Sequence, residues 1–422
     1  MTGQRSLEYL YGLQRFGIKL GLDNIRQLLL RLDRPDSAFP IVHIAGSNGK
    51  GSVAVALATM LRLSGYRVGL YTSPHLHHFG ERIRVDGAPL AVDDLVRLTD
   101  RLRSLAGDLP VTFFELTTAM ALTRFRDCNV DIAILEVGMG GRLDATNAVT
   151  PLLCAITPIC LDHAAYLGND LTTIAGEKGG IIKPEIPVVL GKQPPLAEQR
   201  LRVLAARQDA PLLSYGEDYR VIDTGETFTW QGPGGTLAGL TAGLAGAHQR
   251  DNLAQALCLA ALLRERGFSL PATQLRRAVS ETVWPGRLEW IDGAPGVLID
   301  GAHNAGGAAT LAAYLARHGA RVHWVAALKA DKNCAEIIVP LLPFAASVIC
   351  PPLPVEAGID PQALSAAVTA HGISSHTALD VAGALAAAQA ACCENEIVLV
   401  AGSLFLAAAV REILIGTEAR CA

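Results

Sequence analysis

The sequence predicts an α/β fold with two mostly parallel sheets, a larger phosphate-loop domain followed by a smaller Rossmann-like α/β domain. Three observations lead there. Short, near-continuous apolar runs recur along the chain with helical stretches between them, the pattern of strands buried on both faces. The first run, Ile41–Ala45, ends in a glycine loop that opens a helix. Of 422 residues 50% are apolar, 5% aromatic and 18% charged, which suits small side chains packed over buried strands and excludes a disordered chain.

Each element follows from local pattern. Ser52–Ser64 reads as a helix stopped by Gly65, and Arg67–Tyr71 as the next strand. Val92–Leu105 and Phe114–Asp127 read as helices, Val130–Val137 and Leu152–Thr157 as buried strands. Residues 211–247 are rich in Gly and Thr with short alternating segments, which predicts a small β-subregion. Asp251–Arg266 and Pro271–Glu281 return to helix. Trp284-Pro285-Gly286-Arg287 is turn-rich and marks a domain boundary. The strand–helix alternation then restarts, with strands at Val297–Asp300, Val322–Leu328, Ser347–Cys350 and Ile397–Ala401 and a helix at Asp380–Ala391 among those between them. The expected domains are therefore residues 1–285 and 286–422.

Charge and hydropathy exclude several functions. The net charge of −4 comes without a basic stripe, so no nucleic-acid partner is expected. A mean hydropathy of +0.30 raises the question of a membrane. The uncharged stretch Ile337–Val355 contains Pro340, Pro343, Pro351, Pro352 and Pro354, which break a spanning helix. Ile397–Val410 is too short to span, and Met1–Leu10 has no apolar signal core. The expectation is a soluble, cytoplasmic protein. The nine cysteines form no CxxC pair and read as free thiols, not zinc ligands.

Gly46-Ser47-Asn48-Gly49-Lys50-Gly51-Ser52 follows the first strand and opens the first long helix. Glycines let backbone N–H groups turn inward around phosphates, Lys50 supplies a charge, the helix N-terminus adds its dipole, and the Ser52 hydroxyl suits Mg²⁺. The spacing departs from the common phosphate loop, because Ile44 stands at the first glycine position and Gly51 separates Lys50 from Ser52. A bare glycine turn is the plain alternative; the strand–loop–helix context favours a nucleotide site.

A second constellation sits at the ends of later strands. Glu136 closes Ile134-Leu135-Glu136, a polar loop from Met139 to Asn147 follows, Asp162-His163 ends the next strand, and Glu177-Lys178 comes soon after. Ligands of open α/β sheets bind at the carboxyl ends of strands. Taken singly, each has a plain alternative: a salt-bridge acid for Glu136, a capped or core histidine for His163, a surface lysine for Lys178. Together, beside a phosphate loop, they point to a site. Ser52 and Glu136 are the hard oxygen ligands Mg²⁺ prefers.

In these segments the sequence resembles the folylpolyglutamate synthase/dihydrofolate synthase family of the Mur-ligase superfamily. The segments are GSNGKGS (46–52), YTSPHL (71–76), ERIRV (81–85), TFFE (112–115), LEVGMGGRLDATN (135–147), LDH (161–163), EKGGI (177–181), PGR (285–287) and DGAHN (300–304), in the family's order over nearly the whole chain. The resemblance implies a Mur-ligase-like central domain, a C-terminal glutamate ligase domain and a reaction. ATP phosphorylates an acceptor carboxylate, and the amine of L-glutamate attacks the acyl phosphate to form an amide. The acceptor is dihydropteroate, a reduced folate or both.

By the same resemblance Ser47, Asn48, Gly49, Lys50 and Gly51 cradle the ATP phosphates, and Ser52 contributes to the metal site. Ser73 and Glu136 match ligands of a first Mg²⁺, His163 and Lys178 the second site. Lys178 matches a carbamoylated lysine, and with Lys50 and His163 it makes up the catalytic group. A monovalent cation is a further family expectation. Asn252, Arg287 and Asp300 match ATP contacts, with His303 in the same segment as Asp300. The plain alternatives are an interdomain salt bridge for Arg287 and a helix cap for Asp300. The folate side is implied for Lys19, Leu20, Gly21 and Leu22, for Thr112, Phe113, Phe114 and Glu115, and for Leu143, Asp144 and Ala145. A monomer with small-molecule substrates only is expected.

The sequence departs from the family at Asn333, which stands where an acid is usual after Asp331-Lys332. His75, His77 and His78 have metal-like spacing but read as loop residues, since the family pattern puts the ligand at Ser73. Two competing readings use the same loop: a Mur-type peptidoglycan ligase, and a nucleotide-dependent switch without ligase activity. GRLDATN and the N-terminal Leu20-Gly21-Leu22 argue against the first, and the set Ser73, Glu136, His163 and Lys178 against the second.

Overall fold

The structure is a computed structural model and describes residues 2–13, 21–162, 164–355 and 357–416. The chain divides into two compact units. The first runs to Gly243 and takes in Gln249–Val283; the second takes Leu244–His248 and the chain from Trp284 on.

The first unit is built on eight strands: β1 (Ile41–Ala45), β2 (Val68–Tyr71), β3 (Ile83–Val85), β4 (Ala88–Pro89), β5 (Ile132–Glu136), β6 (Leu153–Ile156), β7 (Val188–Leu190) and β8 (Leu212–Ser214). Their order is β4-β3-β2-β5-β1-β6-β7-β8. From β2 to β8 all neighbours are parallel, while β3 and β4 extend one edge antiparallel. Every residue of β1 is buried, because the strand has helices on both faces. Val42 and Ile44 enter a core with Leu57 and Met60 of the helix Lys50–Leu63. Ile41 enters the opposite core with Leu116 and Met120 of the helix Phe113–Asp127.

The register aligns the carboxyl ends. Ile44 pairs with Glu136, Tyr71 with Leu135 and Ala45 with Ile156. The loops after β2, β5, β1 and β6 therefore leave from one edge of one sheet, which brings 46–52, 72–75, 137–147 and 157–162 together.

The β-subregion expected over 211–247 divides three ways. Leu212–Ser214 joins the main sheet as its parallel edge strand. β9 (Arg220–Asp223), β10 (Phe228–Gly232) and β11 (Gly235–Leu240) form a separate antiparallel sheet. That sheet buries Phe228 and Trp230 against the helix Ala247–Glu265, where the Trp230 indole donates to the Ala254 carbonyl at 3.1 Å. Its last residues, from Leu244 to 247, belong to the second unit.

The second unit has six strands in the order β12-β13-β17-β14-β15-β16. They are β12 (Glu289–Ile291), β13 (Val297–Ile299), β14 (Val322–Ala326), β15 (Ala345–Cys350), β16 (Ser375–Thr377) and β17 (Ile397–Ala401). All neighbours are parallel except β12 on β13. Leu298, Trp324 and Leu399 fill one face, Val325, Val398 and Val400 the other. Among the described residues no helix is long and apolar enough to cross a membrane, and every cysteine is a free thiol.

Candidate active site

The phosphate loop owes its shape to close packing. Gly46 has φ 141°, and a Cβ there would press on the side chain and the backbone nitrogen of Thr157, the latter at 2.9 Å. Gly49 has φ 88°, and a Cβ would meet the Asn252 amide oxygen at 2.5 Å. Both positions therefore require glycine. The loop is tied to the segment after β6: the Ser47 and Asn48 amides donate to the Pro158 carbonyl at 3.1 and 3.2 Å, and the Cys160 amide donates to the Ser47 hydroxyl at 3.1 Å. Gly49 then caps the helix Lys50–Leu63 with no side-chain cap, so Gly51 and Ser52 stand in a helical first turn of the kind that binds anions. Lys50 Nζ donates to the Ser47 carbonyl at 3.1 Å, folded back over the loop. Ser52 is buried.

Asn252 reaches this loop from the helix Ala247–Glu265, with its amide donating to Gln249 at 2.9 Å. Lys178, at the end of the helix Leu171–Lys178, is 3% exposed and donates from Nζ to the Gly46 carbonyl at 2.9 Å. Burial brings its ammonium down to about 7; the Lys50 cation pushes the same way, while Asp162, Cys160 and Asp144 oppose. Glu136, buried at the end of β5, accepts from the Ser73 amide at 3.0 Å. The residues expected around phosphate thus meet at one edge of the sheet: Ser47 to Ser52, Ser73, Glu136, Lys178 and Asn252.

Ser73 also lines a cavity of about 460 Å³. Its wall includes Gly21, Thr112, Phe113, Phe114, Glu115, Leu143, Asp144 and Ala145, so the three segments expected for a flat ligand converge there. Leu22 is not part of the wall and is buried in the core beneath it. Lys19, Leu20 and His163 lie outside the described residues.

Several wall residues have demanding structural tasks. Thr112 and Glu115 form a capping box at the start of their helix, with Glu115 accepting from the Thr112 amide at 2.8 Å and the Thr112 hydroxyl at 2.9 Å. Asp144 accepts the Gly138 and Met139 amides at 3.0 Å on one oxygen, and the Thr146 amide and hydroxyl on the other. All four of its lone-pair positions are taken, and the wall loop is wound around it. A Cβ at Gly138 would run into the Phe114 ring, and one at Gly141 would meet the Lys178 carbonyl at 2.7 Å. The Asn147 amide bridges the carbonyls of Arg142 and Gly180, each at 3.0 Å.

Sequence reasoning missed Arg82, Met139 and Tyr166 on the wall, and Thr157 under the loop. Arg82 had a signal, since it lies in the ERIRV segment. Thr157 had none, because only the packing of β6 beside β1 brings it to Gly46.

In the second unit Asp300 caps no helix. Its carboxylate accepts the Leu288 and Ala302 amides at 2.9 and 2.8 Å, and Asn304 caps the helix Ala305–His318 instead. Burial raises the Asp300 carboxyl, with Arg287 opposing. A Cβ at Gly301 would meet Arg287 Nη1 at 2.8 Å, and His303 Nδ1 pairs with the Gly301 carbonyl at 2.7 Å. Arg287, Asp300 and His303 therefore form one local cluster.

Among the described residues no group of three His, Cys, Asp or Glu side chains can hold a metal ion. His75, His77 and His78 are not such a group. The Arg82 Nε donates to His75 Nδ1 at 2.8 Å, and Glu81 holds the Leu76, His77 and His78 amides at 2.8 to 2.9 Å.

A family model described as the Mur ligase, glutamate ligase domain matches residues 286–404. The chain is 37% identical over 322 residues to the dihydrofolate synthase/folylpolyglutamate synthase of Bacillus subtilis, covering 73% of this chain and 75% of the relative. It is 33% identical to the Escherichia coli protein of the same name, covering 97% and 94%. E. coli FolC in complex with DHPP and ADP superposes with a TM-score of 0.89 at 31% identity, covering 98% of each chain. The Mycobacterium tuberculosis folylpolyglutamate synthase complexed with ADP superposes at 0.90 with 32% identity, covering 98% and 99%.

Proposed function

The chain belongs to the dihydrofolate synthase/folylpolyglutamate synthase family of the Mur ligase superfamily, and on that premise we propose how it joins glutamate to a pterin acid. The protein is an ATP-dependent ligase that adds L-glutamate to dihydropteroate, to reduced folates or to both, through an acyl phosphate. The observation that carries the assignment of residues is Ser73. It lines the cavity and bonds to Glu136, so the acceptor's wall and the acid beside the phosphate loop share one residue.

In this reading the loop amides of 47–52 and Lys50 hold the transferring phosphoryl group, where fixed donors stabilise developing charge. Asn252 sets the nucleotide against Gly49. Phe113, Phe114 and Leu143 supply the apolar walls a flat heteroaromatic ring needs. An acceptor carboxylate oxygen forms the bond to the γ-phosphorus as the bond to ADP breaks. The glutamate amine then attacks the acyl carbon, inorganic phosphate leaves, and the amine gives up a proton. Arg287, Asp300 and His303 are assigned to the nucleotide by resemblance.

Ser52, Ser73 and Glu136 offer hard oxygens and fit Mg²⁺, which takes few protein ligands and keeps several waters. Bound there, it would neutralise charge on the phosphates. Lys178 fits carbamoylation, because an amine brought to about 7 is substantially neutral at physiological pH. Its lone pair would bond to the carbon of CO₂ with loss of a proton, turning a buried cation into an anion beside Gly46. A second metal site with His163, a monovalent cation, and a monomer working in the cytoplasm complete the reading.

The test is phosphate release from ATP with Mg²⁺ and L-glutamate, with dihydropteroate or a reduced folate as acceptor. Release that depends on both glutamate and acceptor is expected. No acceptor-dependent release with either would sink the reading, and release with only one removes bifunctionality.

A further inference from the structure

Arg82 is 8% exposed, yet it lines the cavity. Its Nε donates to His75 Nδ1 at 2.8 Å, and its guanidinium lies over the Phe113 ring at 5.3 Å. Among the described residues no carboxylate lies within 4 Å of the guanidinium and no acceptor takes its Nη1 or Nη2 protons. The adjacent Glu81 is committed elsewhere, holding three backbone amides of the loop after Ser73. Burial pulls the Arg82 guanidinium down, while the more distant Tyr71, Tyr11, Glu136 and Glu81 oppose.

A buried cation without a counter-ion is costly, and folds retain one where something else completes it. With Nε closed by His75, the end-on pair Nη1 and Nη2 is what remains, a planar fork that matches the two oxygens of a carboxylate. Among groups on a pterin acid, only the carboxylate carries a full negative charge; the ring is neutral and suits the aromatic wall. Arg82 and Ser73 are also tied to one loop, since Arg82 grips His75 two residues past Ser73.

We propose that Arg82 is the anchor for the acceptor's carboxylate, holding it through Nη1 and Nη2 at the Ser73 end of the cavity. This rests on the acceptor reading above. It makes Arg82 a specificity-determining residue: the cavity selects an acid over a neutral isostere before phosphoryl transfer begins.

The experiment measures equilibrium binding of dihydropteroate and of its primary carboxamide, with ADP present, to the wild type, Arg82→Met and Arg82→Lys. The wild type is expected to prefer the acid by roughly 10-fold or more, the strength of a charge-assisted pair. Arg82→Met should lose roughly 10- to 100-fold for the acid, with the carboxamide within about threefold and ADP binding unchanged. Arg82→Lys should recover part of the preference, keeping charge without the fork. Equal weakening of acid and carboxamide in Arg82→Met, or no wild-type preference, overturns the anchor and leaves the acceptor reading standing. The wild-type ratio needs no variant to fold. Wild-type protein that binds neither compound overturns the acceptor reading itself, and the anchor with it.

Discussion

Lys178 donates to the Gly46 carbonyl at 2.9 Å across 132 positions of sequence, so the end of one helix is fastened to the turn that starts the phosphate loop. Burial there, and the second cation Lys50, bring the ammonium to about 7. It also puts whatever Lys178 carries next to the loop amides.

Carbamoylation follows as the first prediction. Protein equilibrated with ¹³C-bicarbonate should show a carbamate carbon resonance that Lys178→Met lacks. Lys178→Ala should cut acceptor-dependent phosphate release by roughly 100-fold, the scale of losing one charge-positioning group, with ADP affinity kept. Near-normal turnover in Lys178→Ala, or identical spectra for wild type and Lys178→Met, would refute the role.

Much of the candidate site was readable from sequence because the residues that meet there come in short contiguous segments. Gly46 to Ser52, Thr112 to Glu115 and Leu143 to Ala145 each arrive at the site as a block. The short strands toward the sheet's edges were not readable: β3, β7 and β8 have three residues each, too few for a periodic pattern, and pair only because a neighbour is already in place. Nor was the second task of Asp144. A carboxylate in a polar loop suggests a ligand, but the four donors converging on it come from a turn that folds back over Gly138, and spacing alone does not reveal a turn's closure.

That turn gives the second prediction. In Asp144→Asn one carboxylate oxygen becomes an NH₂ facing two donors, either the Gly138 and Met139 amides or the two Thr146 groups. One hydrogen bond is lost where the NH₂ faces Thr146, whose hydroxyl can turn to accept, two where it faces the backbone amides, and the remaining donors meet a neutral acceptor, a cost of about 3 kcal/mol. The urea midpoint should fall and the acceptor KM rise together. A variant as stable as wild type with only a raised KM would make Asp144 a simple substrate contact.

Gly138 against Phe114 supplies the third. A Cβ at 138 would stand 2.7 and 2.9 Å from the Phe114 Cε2 and Cε1 atoms, so the ring must turn into the cavity. Gly138→Ala should raise the acceptor KM about tenfold, the scale of a blocked apolar contact, and leave the ATP KM unchanged. The double variant Gly138→Ala/Phe114→Leu should recover part of the loss, because a smaller side chain accommodates the methyl. No recovery would locate the damage in the backbone.

His43 supplies the fourth, through a count of protons. The Thr146 hydroxyl donates its one proton to Asp144, so its oxygen must accept from His43 Nε2 at 2.8 Å. His43 is then the neutral Nε2–H tautomer, with Nδ1 bare and, among the described residues, without a hydrogen-bond partner. A second proton would enter an apolar core, and burial, aided by Lys183, holds the pKa at about 3. Between pH 6.5 and 3 the unfolded chain therefore binds one more proton than the folded one at this residue. Stability is lost as pH falls through that window, by at most ~1.4 kcal/mol per pH unit from His43. His75, held at about 4, acts in the same direction in the same unit. In His43→Gln the side-chain amide still donates to Thr146 but takes up no proton. The pH dependence of the first unit's unfolding free energy between 6.5 and 4 should flatten by one proton in that variant, as followed by urea titration. An unchanged slope would mean that His43 is already charged in the folded protein and that the Thr146 hydroxyl points elsewhere.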